Sequence, residues 1–270
     1  SAPLEDALRH AAREIALAAA VLEGDERVMA LEAGRLADAE QAPSGREESA
    51  VAAAAKVPTC RFLRAAQNAA LAVEKALPGL KALPPGTPPI EVTDRRGLSL
   101  LVSFGWRRGY DAATAVAGPG ELKVVVDFSD DVLIEASTSA AQGPASGVLG
   151  VGLLYLANPG GTKTLRGGDL SFGAGLLGVG GLYLAGPASV ESGAFGQGAA
   201  AYGAGVVWSS GAGSSFTHSV AGQGYATTRG SGLFAHRGEG ARFECGLTRP
   251  DAREELATLG LCQGAGVGPR

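Results

Sequence analysis

Two stretches, GVLGVGLLYLANP at 147–159 and GLLGVGGLYLAGP at 175–187, repeat one another at a period of 28 residues. Both begin at Gly and end at Pro. Read as strands, they alternate: Gly150, Gly152, Leu154 and Leu156 share one face, and Leu149, Val151, Leu153 and Tyr155 share the other. Gly178 and Gly180, set against Leu177, Val179 and Tyr183, reproduce the arrangement. Paired glycines predict a grooved face that another backbone, an aromatic ring or a flat ligand approaches closely. Gly150, Gly152, Tyr155, Gly178, Gly180 and Tyr183 are therefore the candidate packing or ligand-groove residues.

Downstream, three tandem octads begin Gly-x-Gly: GQGYATTR at 222–229, GSGLFAHR at 230–237 and GEGARFEC at 238–245. Blocks of the same length start at Gly203 and Gly211. An even period keeps faces in register, so the region reads as a meander or a short-coil solenoid of small units. Between 137 and 228 only Lys163, Arg166, Asp169 and Glu191 are charged. The uncharged runs 137–162 and 170–190 are long enough for membrane helices, but their glycine density, Pro144, Pro159 and seven-residue separation favour strands. Upstream, 98–104, 122–128 and 132–136 read as further strands.

Before residue 78 the pattern is helical. Leu4, Leu8, Ala11, Ile15, Ala18 and Leu22 recur at three- and four-residue spacing, and Met29, Ala33 and Leu36 resume the period after Gly24 and Asp25. A second helical run starts at Glu47, is disturbed by Pro58, and continues to Leu77 with Thr59 as the expected N-cap. Alanine at many inward positions permits close approach but buries little area, so this hairpin needs another surface to lean on. Five prolines and two glycines at 78–89 predict an extended connector.

The expected organisation is α+β: a helical hairpin at 1–77, a Pro-rich connector at 78–89, a Gly-rich, mainly antiparallel β domain at 90–249, and a tail with a short helix at 250–270. The β domain is expected to be a barrel, a sandwich or a meander.

The net charge of −4 gives no broad positive field, so sequence-independent nucleic-acid binding has little electrostatic support. The absence of a methionine before Met29 reads either as a processed N-terminus, compatible with an organelle or the bacterial envelope, or as a fragment of a longer chain. Cys60, Cys245 and Cys262 lack zinc-site spacing and read as small apolar residues. Gly173 to Gly178 fits GxGxxG but precedes a poor helix, and GGTKT at 160–164 lacks the Gly-Lys adjacency of a phosphate loop. Asp127, Asp130, Asp131 and Glu135 read as turn carboxylates rather than cation ligands. A Ser–His–acid site would have to assemble Ser214 or Ser231 with His218 or His236. Phe104, Trp106, Arg107, Arg108 and Tyr110 have the composition of an interface.

These residues predict a non-catalytic accessory or structural subunit that packs against protein subunits of a larger complex, with no cofactor and no metal. Membrane association of that assembly is part of this reading. A second reading is a β carrier that holds a lipid, pigment or other hydrophobic small molecule against the glycine-grooved faces. A third is a hydrolase with a spatially assembled site.

Overall fold

The computed structural model describes residues 2–36, 47–84, 86–105, 110–136 and 142–245. Four helices come first: α1 (Ala2–Ala19), α2 (Gly24–Leu36), α3 (Glu47–Ala55) and α4 (Thr59–Lys81). Strands β1 (Ile90–Thr93), β2 (Leu98–Ser103) and β3 (Val116–Ala117) open the β region. Coils then follow one another: β4 (Leu122–Asp127), β5 (Val132–Glu135), β6 (Ser146–Val148); β7 (Val151–Leu156), β8 (Lys163–Arg166), β9 (Gly175–Leu176); β10 (Val179–Ala185), β11 (Ala188–Ser192), β12 (Ala200–Ala201); β13 (Ala204–Ser210), β14 (Ser215–His218), β15 (Ala226–Thr227). A last half-coil carries β16 (Ser231–Arg237) and β17 (Arg242–Cys245).

Each side of the coil stacks on the same side of the next, giving three sheets. Sheet A is β1-β2-β4-β7-β10-β13-β16, sheet B is β17-β14-β11-β8-β5, and sheet C is β15-β12-β9-β6-β3. β1 runs antiparallel to β2, and all other pairings between these strands are parallel. The expectation of a mainly antiparallel barrel, sandwich or meander is thereby overturned: the C-terminal part is a parallel β-solenoid of about five turns. The 28-residue repeat is one full coil, since Val151 pairs with Val179, and the register steps on through Ala204 and Ser231. The octads are not hairpin arms. Those at Gly203 and Gly230 open the paired strands β13 and β16, and those at Gly211 and Gly238 lead into the paired β14 and β17.

At the corners that lead into sheet A, the Gly-x-Gly pairs 150/152, 178/180 and 203/205 have a packing cause at each glycine. The first follows a corner residue at positive φ, as in Leu149, Leu177 and Tyr202, and lies directly on the corner of the preceding coil. A Cβ on Gly178 would lie 2.4 Å from the Gly150 carbonyl oxygen. The second points inward where sheets A and C converge, and a Cβ on Gly180 would meet the Ala174 carbonyl oxygen at 2.1 Å. The residue between them faces outward.

The helical part is four helices rather than one hairpin, with α2 packed on α3 and α1 on α4. Alanines on the inner face of α4 (Ala65, Ala66, Ala69) let it approach the outer face of sheet A. Thr59 does not cap α4: Pro58 holds the N-cap position, and the Thr59 hydroxyl instead donates to the Tyr202 carbonyl at 3.2 Å, pinning the helix start to a solenoid corner. Pro78 lies inside α4, so the first residues of the expected connector are helical through Lys81.

Two apolar cores result. Outward residues of sheet A (Val124, Val151, Leu153, Tyr155) join the helices in one core, and inward residues (Leu154, Leu156, Leu182, Leu184) fill the solenoid with Ile134, Leu165 and Phe216. All six residues of β7 are buried, so this strand belongs to both cores at once. The expected tail at 250–270 lies outside the described residues, as does Cys262.

Candidate functional site: an aromatic groove on sheet A

The helical layer covers sheet A unevenly. α1 lies over β2 and β4, and α4 over β7 and β10. Beyond β10 the cover thins: Ala204 at the start of β13 is still buried, but Trp208 is 39% exposed and Leu233 is 52% exposed.

Parallel register aligns Tyr155, Tyr183 and Trp208 in one row across β7, β10 and β13. The Tyr155 and Tyr183 rings lie 5.7 Å apart, tilted by 33°. Tyr155 is buried, Tyr183 half-buried and Trp208 exposed, so the row emerges from under α4. In the neighbouring row Leu153, Gly181 and Val206 are register partners. Gly181 therefore leaves a hollow between two large side chains, and the Leu153 side chain borders it: a Cβ on Gly181 would stand 2.7 Å from Leu153 Cδ2.

The result is a groove of about 590 Å³, with α4 residues Leu63, Ala70 and Gln67 as one wall and the aromatic row along its floor. Glu74 of α4 is exposed on the rim. Burial first, and then the charge of Glu74 and the neighbouring Tyr183, push the Tyr155 phenol above its ordinary value, so it remains a neutral hydroxyl. The groove offers apolar area, aromatic faces and a few polar groups.

The six groove residues expected from sequence divide. Tyr155, Gly180 and Tyr183 line the groove. Gly150, Gly152 and Gly178 meet backbone of the same solenoid, and the inward side of Gly180 is filled by Ala174. The hollow lies on the opposite face of β10, at Gly181. Sequence reasoning missed Gly181, Val206, Trp208 and Leu233, although comparing the two repeats exposes the signal: leucine stands at 153 where glycine stands at 181.

Of the expected interface cluster, Phe104 is buried and stacks on Phe128 with 5.8 Å between centroids. The Tyr110 hydroxyl donates to buried Asp127 at 2.5 Å. Both serve the first coils, while Trp106, Arg107 and Arg108 lie outside the described residues. Phe104 and Phe128 also border a larger opening of about 1040 Å³ near the end of α4. The carboxylates there hold turns: Asp127 accepts from Ser129, Asp130 from Asn158, and Asp131 from the Thr162 amide. Glu135 pairs with Arg166. Among the described residues no group of three or more His, Cys, Asp and Glu converges as a metal site. Lys163 is fully buried and donates to the Gly160 carbonyl; burial lowers its pKa, opposed by Asp130, Asp131 and Asp127.

Neither histidine proposed for a hydrolytic site meets Ser214 or Ser231. His218 faces the solenoid interior with neither ring nitrogen hydrogen-bonded, and burial pulls its pKa down to about 4. Ser214 donates to the Gly211 carbonyl, and Ser231 is exposed at the start of β16. His236 Nδ1 shares a 3.2 Å hydrogen bond with Ser209, its register partner. Cys60 is a free, exposed thiol. No helix among the described residues is long and apolar enough to cross a membrane. Comparison of the chain with protein-family models, with curated proteins and with solved structures returns no match.

Proposed function

We propose that this protein is a non-catalytic accessory subunit that receives a partner protein on the outer face of sheet A, beside α4. One observation carries the reading: the helices pack mainly on β2, β4, β7 and β10, while beyond them Trp208 and Leu233 stand exposed on the outer face beside half-buried Val206. A helix is about 10 Å across and strands are about 4.8 Å apart, so one helix covers two strands. α1 takes β2 and β4, α4 takes β7 and β10, and the pair β13 and β16 forms a slot one helix wide. An amphipathic helix of the partner, with its apolar stripe on Val206 and Leu233 and beside Trp208, matches that width and chemistry. An exposed tryptophan such as Trp208 is among the residue types that dominate binding energy.

Native mass spectrometry of the chain purified from its natural source tests this reading. Wild-type protein is expected with partner subunits, and the Trp208→Glu/Leu233→Glu variant without them. A variant that retains every partner, or a wild-type chain without one, contradicts it. A second reading, a hydrophobic small molecule in the hollow over Gly181, is favoured by the groove volume and its aromatic lining, which fall within the range of small-molecule sites. It predicts a bound apolar compound in the same spectra that is lost on Gly181→Leu.

A further inference from the structure

Glu74 is the only charged residue among those that line the groove on sheet A. It stands exposed on the α4 wall, one turn beyond Ala70. The helix itself does not neutralise it, because the positions three and four residues away hold Ala70, Leu71, Leu77 and Pro78. The adjacent Lys75 lines a separate opening between α1 and α4. No cation among the described residues forms an ion pair with Glu74. Its field reaches the groove floor, since its charge helps to push the buried Tyr155 phenol above its ordinary value. The floor favours the same sign of ligand: Tyr155, Tyr183 and Trp208 form one row, and aromatic faces attract cations. Beside that row the hollow over Gly181 is apolar, with Leu153 and Val206 as its neighbours.

A helix docked in the slot over β13 and β16 lies beside α4 and strips water from Glu74. A partly buried carboxylate without a cation is costly, and an apolar side chain in the hollow would leave it so. A long basic side chain meets both demands, because its methylene stem is apolar and its head is charged. We infer that the partner helix carries an arginine or lysine here, its stem in the hollow over Gly181 and its head between the Glu74 carboxylate and the rings of Tyr183 and Trp208. Neighbouring helices pack with their axes about 8–10 Å apart, within reach of such a side chain. Arginine suits the position best, since its planar head stacks on aromatic rings while it pairs with a carboxylate. The inference rests on the docking reading above and gives the partner a sign of charge at one point of that surface.

Two synthetic amphipathic helices of about 18 residues test it, identical in a leucine–alanine stripe and differing at one central position, arginine or glutamine. Their affinities are measured for the full chain as wild type and as Glu74→Gln. The arginine peptide is expected to bind wild type about tenfold more tightly than the glutamine peptide, and Glu74→Gln is expected to remove most of that preference. Glu74 is exposed, so the amide variant keeps the fold, which melting curves check. Equal binding of the two peptides to wild type, or an arginine preference untouched by Glu74→Gln, overturns the inference. Where that binding is still lost in Trp208→Glu/Leu233→Glu, the docking reading stands without it. Binding by neither peptide, or binding that survives Trp208→Glu/Leu233→Glu, overturns the docking reading and the inference with it.

Discussion

A single glycine shapes the groove, and its neighbours test why. Gly181 faces outward toward the flexible Leu153 side chain, whereas Gly152 and Gly180 face inward, where a Cβ would meet carbonyl oxygens at 2.2 and 2.1 Å. Gly181→Leu, which restores the residue found at the equivalent position of the first repeat, is expected to change stability by no more than about 1 kcal/mol while closing the groove. Gly152→Val and Gly180→Val are expected to cost more than about 3 kcal/mol, because backbone cannot move aside as a side chain can. Thermal denaturation of the three variants checks the contrast. The glycines themselves were legible in the sequence but their partners were not: alternation correctly separated the two faces of β7, while close approach from sheet C depends on contacts distant along the chain. His218 adds a pH term. Its folded pKa of about 4 lies below the ordinary value of about 6.5, so the unfolded chain binds a proton that the folded one refuses. Stability is full above about pH 6.5 and falls as the pH drops toward 4, by about 3 kcal/mol at most. Melting curves between about pH 7.5 and 4.5 should show the fall, and His218→Leu should flatten it.

At the scale of elements, helices were the more legible part. The apolar spacing of Leu4, Leu8, Ala11 and Ile15 matches the buried face of α1, but the break expected at Gly24 and Asp25 falls just before them, at residues 20–23, and Gly24 opens α2. Pro78 misled because proline blocks a helix only where its missing amide and ring conflict with the preceding turn, and α4 absorbs it in its last turn. Residues 82–84 remain exposed beyond the helix, and two prolines immediately precede β1. Limited proteolysis is therefore expected to cut first between Ala82 and Ile90; early cuts within β7 to β13 would contradict the packing described. Strand direction was not legible in the octads, because parallel neighbours lie a whole coil apart and no local turn chemistry encodes the pairing. A signal was nevertheless present. VGLLYL is apolar at almost every position, as a strand buried on both faces must be, whereas an antiparallel sheet with one wet face would alternate.

The whole molecule places surfaces of different chemistry side by side. Sheet B turns a polar ladder outward, in which Arg166 lies between Glu135 and Glu191. The middle strands of sheet A are apolar on both faces, and its outer face is shielded by helices over the first strands and exposes Trp208 and Leu233 on the last. This asymmetry is what makes the outer face of β13 and β16 the place where a partner would dock. Hydroxyl-radical footprinting of the chain, isolated and in its native-source assembly, tests that claim most directly. Trp208 and Leu233 are predicted to lose most of their reactivity in the assembly, while Leu133, 41% exposed on sheet B, keeps its own. Equal oxidation of Trp208 and Leu233 in both states, or protection that appears at Leu133 instead, would contradict the account.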